Sequence, residues 1–202
     1  MNKKEKLALF LGMLSGDGCL PIQHSGEGYR DYAVRFCNTD KRLVLLFDEL
    51  FFELFQDHGK IYYEDRLNKK RLFSFRKYSR KIVEQIIDMG FPEGVKRDIL
   101  RVPEMIKNGK TREKSIFTIG FLITDGCLRK NRSILFHSGS KLFLEDLSEL
   151  ISEIIQNKKP IKKYVQKEKY FSYQLSLNKE ETKLLLSVMP TWDNGTPLAL
   201  SL

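Results

Sequence analysis

The chain has 202 residues, 42% of them apolar, which is enough for a real core in one domain or two small ones and argues against a disordered chain. Lys and Arg number 35 against 26 acids, a net charge of +9, so the expected partner is a polyanion, nucleic acid first and an acidic membrane surface second. No apolar run approaches the ~20 residues needed to span a bilayer, and a soluble, cytoplasmic protein that spans no membrane is expected.

In chain order, the first element is an apolar helix-like run, LALFLGMLSGDGCL at 7–20, behind Lys3, Lys4 and Lys6. It resembles a signal peptide, but Asp17 interrupts it and no small-residue cleavage site follows. A turn-like HSGEGYRD at 24–31 splits a first hairpin, and an amphipathic helix follows within VRFCNTDKRLVLLFDELFFELF at 34–55. KIYYEDRL (60–67) and RLFSFRKY (71–78) alternate as strands around Asn68-Lys69-Lys70, and a helix over 79–90 stops at Gly90 and Pro92. A polar, Pro-bearing stretch then leads to IFTIGFLITDGCL at 116–128, which repeats the first run.

The repetition continues. Asp17 and Asp125 are 125 − 17 = 108 positions apart, whereas ILFHSGSKLFLEDLSELISEII (134–155) matches 34–55 at an offset of 136 − 36 = 100. The first hairpin therefore carries eight more residues. Strands PIKKYVQK (160–167) and FSYQLSLN (171–178) and a helix over 179–189 complete the second copy. The expected fold is α+β: two αββαββα repeats about a pseudo-twofold axis, with antiparallel sheets forming a saddle. Repeat one spans 1–92, a linker 93–111, repeat two 112–190, and a tail 191–202 has no counterpart.

Gly12 and Gly16, four apart, give the first helix a flat strip, and Gly120 with Thr124 gives the second a similar one. Two such helices packed side by side bring Asp17 and Asp125 together. Two adjacent carboxylates repel and call for a cation between them. Hard oxygen ligands suit Mg2+, with Mn2+ as a substitute, and such a site suits phosphodiester hydrolysis with one acid per DNA strand.

FLGMLSGDG (10–18) and TIGFLITDG (118–126) resemble the two motifs of the LAGLIDADG homing endonucleases, of the monomeric two-motif type. Where that pattern has an earlier Asp, this chain has Ser15 and Ile123. The resemblance runs from residue 5 to about 190. It implies a monomer that cuts both strands of a long asymmetric double-stranded DNA site and leaves short 3′ overhangs. It also implies metal-binding Asp17 and Asp125 with the carbonyls of Gly16 and Thr124 as co-ligands. The family's basic residue at the end of the fourth strand points to Lys77 and Lys179 as catalytic candidates. A non-cutting binder, such as an intron RNA maturase, is the alternative, with RNA as partner in place of DNA.

Strand alternation names the expected DNA contacts. In repeat one these are Arg35, Lys60, Tyr62, Glu64, Arg66, Ser74 and Arg76. In repeat two they are Lys162, Tyr164, Gln166, Ser172, Gln174 and Ser176. Gln23, Arg30, Arg129 and Arg132 extend that face from the first hairpins. Cys19, Cys37 and Cys127 show no CxxC spacing and read as reduced thiols, and His24, His58 and His137 lie too far apart for a zinc motif.

Overall fold

A computed structural model describes residues 1–25, 29–166 and 170–187, and the side chains of 23–25, 29–30, 165–166 and 170 are also outside it. The tail at 191–202 and the side chains of Gln23, Arg30 and Gln166 thus lie outside the described residues.

Repeat one opens on α1 (Lys3–Asp17), whose start is set by a reciprocal cap between Asn2 and Glu5. The first hairpin is broken at Leu20–Pro21, giving β1 (Gly18–Cys19) and β2 (Ile22–Ser25), which both pair with β3 (Tyr29–Asn38). Then come α2 (Lys41–Phe55), β4 (Lys60–Glu64), β5 (Leu72–Tyr78) and α3 (Arg80–Asp88). A short α4 (Glu104–Lys107) lies in the linker. Repeat two runs α5 (Thr111–Asp125), β6 (Gly126–Leu128), β7 (Ile134–Ser138), α6 (Lys141–Ile155), β8 (Lys162–Gln166), β9 (Tyr170–Leu177) and α7 (Lys179–Ser187).

Each repeat is one antiparallel sheet, ordered β1-β3-β5-β4 in the first and β6-β7-β9-β8 in the second, so the fold is α+β with two αββαββα halves. The strand register repeats with the sequence offset. Phe36 pairs with Gly18 and Phe75, and Phe136 pairs with Gly126 and Leu175.

The two halves meet along α1 and α5. Both helices are apolar on nearly all sides and buried from Ala8 to Gly16 and from Lys114 to Leu122, because each is covered by the other as well as by its own sheet and helices. Their buried hydroxyls bond back to the preceding turn, Ser15 to Leu11 and Thr118 to Lys114, so neither is left unsatisfied. Phe47 anchors the first core, stacked on Phe36 at 4.4 Å and edge-on to Phe75 at 5.1 Å. Phe143 packs edge-on against Phe121 in the second.

The linker is fastened down. Leu100, Val102 and Ile106 are buried, and the Arg101 guanidinium grips the buried Asp146 of α6 with two 2.7 Å hydrogen bonds. Gly94, at φ +68°, donates to the Leu20 carbonyl at 2.8 Å, joining the linker to the first hairpin. No described helix is long and apolar enough to cross a membrane.

Candidate active site

Small residues decide how close the central helices come. A Cβ on Gly12 would collide with the Phe117 carbonyl, and one on Gly120 would stand 2.5 Å from the Leu9 carbonyl and 2.8 Å from the Met13 nitrogen. Gly16 instead leaves room for the Thr124 side chain, which a Cβ there would strike. Backbone therefore meets backbone at Gly12 and Gly120, and the helices end together, at Asp17 and Asp125.

Asp17 accepts a 2.5 Å hydrogen bond from Asn38 Nδ2, at the end of β3. Its carboxyl is pushed up to about 6, by burial first and by the Asp125 charge second, with Asn38 and Lys96 opposing. Asp125 is the more open of the two, yet the surrounding protein still raises its carboxyl against the pull of Lys96 and His137. Both acids are therefore held in a place that disfavours their charged forms, and a further cation there is favoured.

One cation is already supplied by the chain. Lys96, from the linker, donates its ammonium to the carbonyls of Leu14 (3.2 Å), Ser15 (2.7 Å) and Gly16 at the end of α1. Burial lowers its pKa to about 8, while Asp125 and Asp17 hold it up. Gly16, proposed from the resemblance as a carbonyl ligand, thus has that carbonyl engaged by Lys96. Thr124 turns its hydroxyl back to the Gly120 and Phe121 carbonyls, at 3.0 Å each.

Sequence reasoning missed Lys96 because the linker has no second copy. The cations it proposed lie elsewhere. Lys77 is tied to Asp57 at 2.5 Å, and Lys179 is the exposed first residue of α7. Neither is among the charges acting on the two aspartates. His137, on β7, is also unforeseen. It is partly buried, and burial lowers its pKa while Asp125 opposes. A cleft of about 790 Å³ opens beside this centre, lined in part by Cys19, Lys96, Asp125, Ser138 and Phe171.

Of the strand residues expected to face outwards, Lys60, Tyr62, Glu64, Lys162, Tyr164 and Ser176 are exposed, and Arg35, Arg76, Ser172 and Gln174 are partly so. Phe36, Phe75, Phe136 and Leu175 fill the opposite face. Ser74 is the exception: it is 7% exposed, its hydroxyl accepting from the Cys37 thiol across the strand pair. Arg66 is spent locally, its guanidinium closing the β4–β5 turn on the Lys70 carbonyl. Arg129 and Arg132 are exposed at the β6–β7 turn, where Arg132 takes φ +61°.

No family model matches the chain, and no curated protein sequence does. Solved structures do match. A structure of mesophilic variants of the homing endonuclease I-DmoI superposes with a TM-score of 0.71 at 18% identity, over 93% of this chain and 96% of that one. I-DmoI in complex with DNA and Ca gives 0.70 at 19%, over 96% and 97%. The homing endonuclease I-WcaI bound to its DNA recognition sequence gives 0.63 at 16%, over 93% and 81%. Full-length WhiA from Thermatoga maritima gives 0.62 at 10%, over 96% of this chain but 57% of that one. At such identities the likeness establishes architecture, and chemistry has to be read from the site. The chain has the homing endonuclease fold.

Proposed function

We propose that this chain is a site-specific, divalent-metal-dependent DNA endonuclease of the LAGLIDADG type. Acting as a monomer, it hydrolyses one phosphodiester in each strand of a long asymmetric site and leaves short 3′ overhangs. The observation that carries the reading is the convergence of Asp17 and Asp125 at the ends of the paired helices, beside Lys96 and between two sheets with polar outer faces. Among the matching I-DmoI structures, one is a complex with DNA and Ca, another with DNA and Mn, and another with target DNA in the presence of Mg.

The residues present fit such an ion. Two carboxylates that burial holds above their usual range, Asp17 pushed further by the Asp125 charge, are a hard-oxygen pair that a divalent cation would relieve. Asp17 and Asp125 would hold it, and the Gly16 carbonyl could join them only if Lys96 moved off it. Magnesium, or manganese in its place, would supply Lewis-acid neutralisation of charge at the scissile phosphate.

The chain's own groups do the rest. Asn38 fixes the Asp17 carboxylate, and the rigid helix pair sets the distance between the acids. Lys96 holds a positive charge where negative charge grows on a phosphate. Its N–H groups are given to the α1 carbonyls, so it acts as a fixed charge, and removing one preorganised group that stabilises developing charge costs roughly 10²–10³ in rate. Lys96→Met should therefore lower cleavage by about that factor while DNA affinity changes little, and Lys96→Arg should recover part of it. Single-turnover cleavage beside equilibrium binding checks this, and a Lys96→Met enzyme cutting at the wild-type rate would remove Lys96 from the chemistry.

The nuclease reading is tested with supercoiled plasmids carrying a randomised insert, incubated with Mg2+ or with EDTA. Linear product that appears only with metal, at a recurrent sequence, is the expected result. Binding to a structured intron RNA with no DNA cleavage in Mg2+ or Mn2+ would replace the nuclease with an RNA-binding role.

A further inference from the structure

The outward face of the first sheet carries a row of cations that the second sheet lacks. Arg35 of β3 pairs directly with Arg76 of β5, and Arg76 pairs directly with Lys60 of β4. Like charges set opposite one another across strands destabilise a sheet. Neither arginine is compensated: the Nε–H of Arg35 and of Arg76 is buried without a hydrogen-bond partner among the described residues. Leaving a buried donor unpaired is costly, so a turn of either guanidinium towards an acceptor that arrives from outside is favoured. Arg76 is also held in position, its guanidinium lying over the Tyr62 ring at 5.4 Å from the centroid.

Because the strand register repeats, the corresponding row in the other half is identified directly. It is Leu135 opposite Ser176. The position matching Lys60, one strand further out at the same offset, is Pro160. This half of the molecule thus has no cation at the level where the first half has three.

We infer that Arg35 and Arg76 read guanine in the half of the target contacted by the first repeat, and that the second repeat makes no such demand at the matching position. The inference rests on the nuclease reading above. Guanine presents two acceptors, O6 and N7, on its major-groove edge, which is the geometry a guanidinium donates to in pairs. The alternative source of acceptor oxygens is the phosphate backbone. Position favours the base: β3 and β5 are the two central strands of the sheet, whereas Lys60 is on its edge strand. In a ribbon lying in the major groove, the middle strands face the floor and the edge faces the sugar–phosphate walls. Lys60 is the phosphate contact of the row, and the two arginines are its base contacts. The Cys19–Arg35 pairing places the row directly beside the end of α1, so the guanine lies close to the cut.

The test is selection by cleavage from a randomised duplex library, run on the wild type, on Arg76→Lys, and on Arg35→Leu/Arg76→Ser, which copies the second half's row. The wild type should enrich guanine at one or two positions on one side of the cut, with no enrichment at the matching positions on the other. Both variants should lose that enrichment by about tenfold or more while keeping the preferences elsewhere in the site. Arg76→Lys keeps the charge and the fold but loses the paired donors, so it separates base reading from backbone attraction. A variant that keeps the guanine preference while losing affinity evenly across sequences, with a shallower salt dependence, would make the row a phosphate clamp and overturn the inference. So would guanine enriched at the matching positions on both sides. A wild type that cuts but selects no guanine would overturn the row alone. One that cuts nothing would bring down the nuclease reading and the row together.

Discussion

At pH 8, Asp17→Asn should be more stable than the wild type by about 1–3 kcal/mol in EDTA, and in Mg2+ it should cut DNA at least about 10³-fold more slowly. The stability half follows from the raised carboxyl. A shift from 3.8 to about 6 disfavours the ionised form in the folded chain, and each unit is worth about 1.4 kcal/mol. Some of the roughly 3 kcal/mol this implies is lost to solvent screening. The sign is that of a folded pKa above the unfolded one. The contribution of Asp17 to folding is most favourable below pH 4 and fades as pH rises through about 6. Asparagine cannot ionise, so the gain should vanish at pH 4, grow through pH 6 and level off above. It can still accept the Asn38 hydrogen bond through its amide oxygen.

The cleavage half follows because a neutral amide neither balances a divalent cation nor completes the carboxylate pair. Adding Mg2+ should stabilise the wild type and leave Asp17→Asn nearly unmoved, closing the gap between them. Thermal melts across pH with and without the metal read the first half, and single-turnover cleavage reads the second. A destabilised Asp17→Asn at pH 8 would mean that the carboxylate is a structural anchor. Cleavage at the wild-type rate would remove it from the reaction.

Much of this centre is legible in the amino-acid sequence because it is written twice. The Asp-Gly-Cys-Leu endings, the flat glycine strip and the offset between Phe36 and Phe136 determine which helices pair, which sheet faces turn inwards and which acids meet. Features without a second copy escape that reasoning. Lys96 lies in a linker that reads as polar connector, and it reaches the acids from a segment held down by the Arg101–Asp146 clamp and the Gly94–Leu20 hydrogen bond. Those are long-range contacts that no local pattern encodes. Lys77 illustrates the converse: its strand-end position is as expected, but Asp57, across the α2–β4 turn, takes its charge. Strand alternation gives the outward direction of Ser74 correctly yet says nothing of its burial, which depends on the bulk of its neighbours. The break at Pro21 is local in origin, since proline has no N–H for a ladder, and it splits the first hairpin where the second has a single short strand.

The helix pair is the part of the molecule least tolerant of change, and Gly120→Ala should show it. A methyl group there stands 2.5 Å from one carbonyl, 2.8 Å from a backbone nitrogen and 3.0 Å from the Gly12 Cα. All three are backbone atoms of α1, so no side chain can swing aside, and the helices must separate. Helix propensity acts the other way, favouring alanine over glycine by about 1 kcal/mol, which makes the sign of the result informative. Overpacking typically costs about 1–3 kcal/mol, and a clash against rigid backbone belongs at or beyond the upper end. A net loss of about 2 kcal/mol or more is expected in denaturant melts. Cleavage should fall further than stability does, because the ends of α1 and α5 carry the acids. A displacement of about 1 Å at such a centre can cost about 10²-fold in rate. DNA binding, which depends on the sheets, should weaken much less. Gly94→Ala is the useful contrast: its strain would come from φ +68° alone, with open space around the added methyl, and it should disturb Lys96 without parting the helices. If Gly120→Ala were as stable and as active as the wild type, the close approach of the two helices would not be what holds Asp17 against Asp125.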